Sequence, residues 1–140
     1  MSLIPKALIQ AYSATDFIAH LPDGECVLRV DVRNAVLAQF LKDHETTNAS
    51  YITAWNPYSR IFETADNEQA TIQLKSVISE LELTSYPCDG HDPTGQWADE
   101  PGFLILGAKR SKLRSIGRRF RQNAIIIVGR NGIPKLELLR

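Results

Sequence analysis

The sequence predicts an α+β fold: a ferredoxin-like split βαβ core over residues 51–129, preceded by a helix and hairpin and followed by one more strand from a C-terminal β-hairpin. Three observations carry this expectation. From Tyr51 onward, short β-branched runs and amphipathic stretches alternate as strand, helix, strand, strand, helix, strand. Asp23-Gly24 and Asn131-Gly132 each stand between apolar runs, the chemistry of a tight hairpin, since these residues tolerate positive φ. The chain has 140 residues with 44% hydrophobic content, enough for one domain over residues 1–140 with its own core.

Taken in order, Leu3 to Tyr12 reads as a short helix, and Thr15 to Ala19 and Cys26 to Val32 as strands of the first hairpin. In RNAVLAQFLKDHE, Val36, Leu37, Phe40 and Leu41 fall on one helical face. YITAW, residues 51–55, reads as a buried strand ended by Asn56-Pro57. Asp66 suits a helix cap with Gln69 three residues on, and Ala70, Leu74, Val77, Ile78 and Leu81 form the buried stripe that follows. Leu83 to Cys88 and FLILGA are strands on either side of a loop from Asp89 to Gly102. In KRSKLRSIGRRFRQ the apolar stripe is Leu113, Ile116, Gly117 and Phe120, with Gly117 permitting close approach to the sheet. AIIIVG and PKLELL make the last hairpin.

Charge is balanced overall at 16 basic and 16 acidic residues, yet residues 1–100 hold 6 Lys+Arg against 15 Asp+Glu and residues 101–140 hold 10 against 1. Such a division suits a basic surface for an anionic partner, or two segments whose fields cancel in the fold. No run is long enough for a membrane span, and the N-terminal stretch lacks the pattern of a signal peptide, so a cytoplasmic address is expected. Cys26 and Cys88 form no paired pattern and are expected as thiols.

Right-handed crossovers bring four segments to one end of the sheet: the chain after Trp55, the helix start near Asn67, the Asp89 to Gly102 loop, and the turn at Gln122-Asn123. Amide, hydroxyl, carboxylate and indole groups there suit a polar or anionic small molecule, with Asn56, Ser59, Asn67, Asp92, Trp97, Gln122 and Asn123 as candidate ligand-binding residues. The competing view is that Asn56 and Ser59 merely cap a turn and Trp97 merely plugs the core. His91, Asp92 and Glu100 are candidates for acid, base or metal chemistry in a hydrolase or transferase. Cys88-x-x-His91 has the spacing of half a zinc site, but no second half follows, so no metal site is expected. Arg110, Arg114 and Arg118 at i, i+4 and i+8, with Arg121 beside them, suit phosphate or carboxylate recognition. A nucleic-acid or protein surface is the less favoured reading there, because no aromatic residue is interleaved and the chain is not basic. No phosphate loop, nucleophile elbow, zincin motif or dinucleotide fingerprint is present, and no motif names a cofactor.

AYSAT (11–15), ITAWNPYS (52–59), Asn67, DGHDPTGQW (89–97), EPGFLILG (100–107) and RRFRQNAI (118–125) together resemble the bacterial family catalogued as domain of unknown function 3293. The most specific pieces are Trp55-Asn56-Pro57, Gly90-His91-Asp92-Pro93 and Phe120-Arg121-Gln122-Asn123-Ala124. The resemblance implies a small bacterial cytosolic protein and brings no activity with it. TADNE at 64–68 and Asp99 before Glu100 depart from the family pattern.

Overall fold

The computed structural model describes residues 3–140. In chain order the elements are α1 (Lys6–Ser13), β1 (Asp16–Leu21), β2 (Gly24–Leu28), α2 (Ala35–Asp43), β3 (Ala49–Thr53), a 3-10 turn (Pro57–Ser59), α3 (Thr64–Glu80), β4 (Thr84–His91), β5 (Glu100–Leu106), α4 (Arg110–Arg119), β6 (Ala124–Val128) and β7 (Pro134–Leu138). The fold is α+β, with the strands in one antiparallel sheet ordered β2-β1-β4-β5-β3-β6-β7. Its centre, β4-β5-β3-β6, consists of two strand–helix–strand units, β3-α3-β4 and β5-α4-β6, joined by the β4–β5 hairpin. The N-terminal hairpin extends the sheet beyond β4, and β7 extends it beyond β6.

The sheet curls until its two edges communicate. Beyond β2, the Asp31 N–H donates to the Pro134 carbonyl and the Asn34 N–H to the Gly132 carbonyl, each at 2.8 Å. Strand alternation then divides the apolar residues between two faces. The concave face carries Phe17, Ala19, Tyr51, Cys88, Leu104 and Ile126, and α2 caps one part of it with Leu37 and Leu41. The convex face carries Ile52, Ile105 and Ile125 and packs on Leu74, Val77 and Ile78 of α3 and Leu113 and Ile116 of α4. Each fully buried Leu or Ile in these layers removes enough apolar surface from water for about 2 kcal/mol.

Several local expectations are corrected. Asp66 does not cap α3: the helix begins at Thr64, its N-cap Glu63 makes no side-chain cap bond, and Asp66 lies in the first turn, where a carboxylate complements the helix dipole. The cap that the sequence reading missed is Asn34, whose side chain accepts from the Leu37 N–H at 2.9 Å. Val36 is 68% exposed and Leu81 is 38% exposed at the end of α3, so both leave the buried stripes assigned to them. The 51–55 strand moves two residues earlier, to Ala49–Thr53. The loop expected from Asp89 to Gly102 shortens to residues 92–99, because the β4–β5 ladder continues through Asp89↔Pro101 and Gly90↔Glu100. Pro87 is tolerated in β4 because it stands just past the last β1 partner pair, Ala19↔Cys88.

The close approach expected at Gly117 is present: a Cβ there would meet Leu139 Cδ1 at 2.6 Å and Ile125 Cγ2 at 2.9 Å. Cys26 and Cys88 are free and buried on either side of Ala19 in one cross-strand row. Two strand spacings, roughly 9 to 10 Å, separate their backbones, beyond disulfide reach. No helix of the described residues is long and apolar enough to cross a membrane.

Gly102 permits the tightest approach on the concave face, since a Cβ would stand 2.5 Å from the Ile52 carbonyl oxygen and 3.0 Å from Tyr51 Cε1. The first neighbour is backbone and cannot rotate away. Gly102→Ala is expected to cost about 2 kcal/mol or more in urea denaturation; a loss below about 0.5 kcal/mol would contradict this packing.

Candidate functional site

The concave face is not filled along its whole length. Between α1 and the sheet lies a cavity of about 320 Å³, lined by Leu8, Ala11, Tyr12 and Thr15 from the N-terminal helix and its exit, Phe17 from β1, and Tyr51 and Thr53 from β3. Gly90 of β4, Glu100 of β5, the 56–61 segment, Trp97 and the 122–126 stretch complete the wall. The volume lies at the lower end of the range for small-molecule sites, roughly 300 to 1,000 Å³.

Tyr51 forms part of the wall. Its ring is buried and stacks obliquely on Phe17 with centroids 4.9 Å apart, and its hydroxyl donates to the Glu100 carbonyl at 2.7 Å. Burial holds its phenol well above the ordinary range, so it remains a neutral donor. Thr53 continues the same edge: its hydroxyl donates to the Pro101 carbonyl at 2.6 Å and accepts from the Trp55 N–H at 3.0 Å.

Beyond Trp55 the chain enters a strained turn in which three non-glycine residues adopt left-handed φ: Asn56 (45°), Tyr58 (54°) and Ser59 (60°). Each such conformation costs about 1 kcal/mol or more and persists only where other contacts enforce it. The Asn56–Asn67 carboxamide pair is one of these contacts. Asn67 Nδ2 donates to Asn56 Oδ1 at 2.8 Å, and Asn67 Oδ1 accepts from the Asn56 N–H at 2.9 Å. Asn56 Oδ1 also accepts from the Phe62 N–H, while the Tyr58 N–H donates to the Arg121 carbonyl.

The turn delivers Ser59 to a polar corner of the cavity. The Ser59 hydroxyl meets the Tyr12 hydroxyl, and Asn123 Nδ2 donates to both, at 2.9 Å to Tyr12 and 3.3 Å to Ser59. Asn123 Oδ1 in turn accepts from Arg140, whose guanidinium lies 4.1 Å from the Tyr58 ring centroid. One hydroxyl proton joins Tyr12 to Ser59, which leaves the other available to a hydrogen-bond acceptor in the cavity. Gln122 donates to the Phe120 carbonyl at 3.2 Å and closes the adjoining wall.

Glu100 is the cavity's single carboxylate among the lining residues, and no Lys, Arg or His joins them. Gly90↔Glu100 pairing at the end of the ladder directs its side chain to the concave face, in phase with Gly102, Leu104 and Leu106. The carboxylate makes no hydrogen bond or ion pair within the described residues. Burial alone pushes its pKa from 4.5 up to about 7.

The loop between β4 and β5 is organised by Asp92, which is 7% exposed. Its carboxylate accepts from the N–H groups of Thr94, Gln96 and Trp97 and from the Thr94 hydroxyl. Those donors, the Thr94 hydroxyl first, hold its pKa below the usual carboxylate value. The result positions Trp97 at the cavity mouth, where it is 36% exposed beside Ile61 at 95%.

Of the residues expected to bind a ligand, Asn56, Ser59, Trp97, Gln122 and Asn123 line this cavity together. Asn67 stands behind Asn56, and the Asp92 carboxylate is committed to its own loop. Among His91, Asp92 and Glu100, Glu100 alone reaches the cavity. His91 alternates to the other side of β4, where Nδ1 lies 2.7 Å from Asp99 Oδ1 and that hydrogen bond raises the imidazole pKa. No group of three or more His, Cys, Asp and Glu able to hold a metal occurs among the described residues. Arg110 and Arg114 both contact Glu137 of β7, Arg110 through two hydrogen bonds of 2.7 and 2.8 Å. Arg118 and Arg121 are exposed outside the cavity. The sequence reading missed Tyr12, Thr15, Phe17, Tyr51 and Ile61, which line the cavity. A detectable signal was the sheet pattern itself, which places Tyr51 and Glu100 on one face once their strands are adjacent.

Folded-state elevation of the Glu100 pKa has a definite sign. The folded chain retains a proton that the unfolded chain loses near pH 4.5, so stability falls as pH rises through about 7. The full cost above that range is about 3 kcal/mol. His91 adds a decline of the same sign, so the comparison with Glu100→Gln isolates the carboxyl. In urea denaturation at pH 5 and pH 8, wild type is expected to lose up to about 3 kcal/mol relative to Glu100→Gln; parallel pH profiles would contradict it. Asn67→Ala, which strips two partners from Asn56, is expected to cost about 2 kcal/mol, whereas a loss under about 0.5 kcal/mol would show that the turn does not depend on the pair.

The family described as Protein of unknown function (DUF3293) matches residues 52–125. That span covers more than half the chain and includes the strained turn, Asn67, Trp97, Glu100 and the Gln122-Asn123 corner. Searches of curated proteins and of solved structures found no match. This chain belongs to the DUF3293 family.

Proposed function

We propose that the protein is a small-molecule binding module whose ligand occupies the cavity between α1 and the concave face of the sheet. The observation that carries this reading is convergence: segments from both ends and the middle of the chain supply the lining of one cavity of about 320 Å³. A structural role alone would favour filling that space, since unfilled interior volume costs packing energy. The strain held at Asn56, Tyr58 and Ser59 supports the same reading, because it presents a hydroxyl to the cavity instead of relaxing the turn. The central order β4-β5-β3-β6, with helices following β3 and β5, supports reading residues 51–129 as a ferredoxin-like core with edge additions.

A second reading, acid–base catalysis in the same cavity, is favoured by a carboxyl with a pKa of about 7. It passes from His91 and Asp92 to Glu100, with Tyr12 and Ser59 as neighbouring hydroxyls. Nucleic-acid binding through α4 has weaker support, because Arg110 and Arg114 are already engaged by Glu137.

Ligands of this cavity are expected to raise the melting temperature, through binding to the native state alone, and to change Trp97 emission. Ala11→Phe, which projects a ring into the cavity from α1, is expected to abolish both responses while leaving the fold intact. A thermal shift that survives in Ala11→Phe would place binding elsewhere and defeat the proposal.

A further inference from the structure

The cavity combines two features that together define a charge preference. The rings of Tyr12, Phe17, Tyr51 and Trp97 line it, and Glu100 is the one carboxylate among the described lining residues. Aromatic faces carry negative electrostatic potential and attract cations, most strongly where water is excluded. Glu100 is half-buried, and its carboxylate, which no protein group engages, is left to solvent or to a ligand that brings positive charge or a hydrogen-bond donor. No basic side chain stands among the lining residues.

We propose that the cavity binds a small organic ammonium cation, a largely apolar molecule carrying one protonated amine, with the Glu100 carboxylate as its charge partner and the aromatic rings as its walls. This rests on the cavity being a ligand site and specifies what enters it. It departs from the polar or anionic ligand expected from the sequence, and the arginines expected separately to recognise phosphate or carboxylate lie outside the cavity. The remaining hydroxyl proton at the Tyr12–Ser59 corner provides a donor for an acceptor elsewhere on the same ligand.

Pairing of an ammonium ion with Glu100 carries a proton linkage of definite sign. An ammonium ion binds the ionised carboxylate, so binding releases the proton that Glu100 holds below about pH 7. Other charged or titratable groups around this region are Tyr51 and Tyr12 in the lining, Cys88 on β4, Asp16 on β1, Arg140 behind Asn123, and the His91–Asp99 pair on the opposite side of β4. Tyr51 and Cys88 are raised well above neutrality, which leaves His91 as the control for titration near pH 7.

The experiment measures binding of phenethylamine, its neutral analogue 2-phenylethanol, and phenylacetate by amide and indole NMR shifts, using the full chain. Phenethylamine is expected to bind at least tenfold tighter than 2-phenylethanol, with shifts at Trp97 and Tyr51, and phenylacetate to bind weakest. Glu100→Gln is expected to erase the preference for the amine while keeping 2-phenylethanol within about twofold. In wild type, a carboxyl pKa of about 7 makes the amine's affinity rise about tenfold from pH 6 to pH 8. His91→Gln should retain that slope. Equal binding of amine and alcohol, an amine preference that survives Glu100→Gln, or an affinity that falls with pH would each overturn the ammonium assignment while leaving the cavity as a ligand site. Failure of all three compounds to perturb Trp97 or Tyr51 would overturn the assignment and count against the cavity reading as well.

Discussion

Curvature is the constraint on which this structure depends. An antiparallel sheet this wide twists, and here it bends far enough for the chain beyond β2 to hydrogen-bond to the Gly132–Pro134 edge. A curved sheet has unequal faces. The convex side accepts α3 and α4 in a continuous apolar layer, with Gly117 allowing α4 to lie close to Ile125 and Leu139. The concave side is covered in two pieces, by α2 through Leu37 and Leu41 and by the short α1, which contains no buried residue. The cavity lies under the second piece.

The chemistry of that space follows from strand period. Residues two apart on a strand share a face, so Glu100 joins Gly102, Leu104 and Leu106 on the concave side while its neighbour Asp99 pairs with His91 on the other. Two groups that look like partners in a linear reading are therefore separated by the sheet. The separation isolates one carboxylate among aromatic rings, and burial there raises its pKa to about 7. Tyr51 stays neutral against the same wall and spends its proton on the Glu100 carbonyl.

Polar side chains elsewhere act as scaffolding for the cavity. The Asp92 carboxylate collects the donors of the 92–97 turn and so holds Trp97 at the mouth. Asn67, 2% exposed, stabilises the strained entry of Asn56 and thus the placement of Ser59. These residues stand beside the site, shaping it without offering free groups to a ligand.

Much of this was legible in residue order. Apolar spacing identified α2, α3 and α4, a short apolar segment pointed to α1, the Asp-Gly and Asn-Gly turns marked both terminal hairpins, and the motifs around Trp55, Trp97 and Asn123 fell on segments that meet in space, because these signals are local and act within a few residues. Helix starts were less legible: α3 begins without a side-chain cap, so no cap residue announces Thr64, while Asn34 caps α2 from a position that also reads as loop. What sequence alone determined was which stretches form strands and helices and which residue types they carry. Tertiary structure decided the curl of the sheet, the role of α1 as a cover, and the isolation of Glu100 opposite His91. Those outcomes depend on strand neighbours far apart in the chain, and burial, which sets the charge state of a carboxyl, exists only after such neighbours have met.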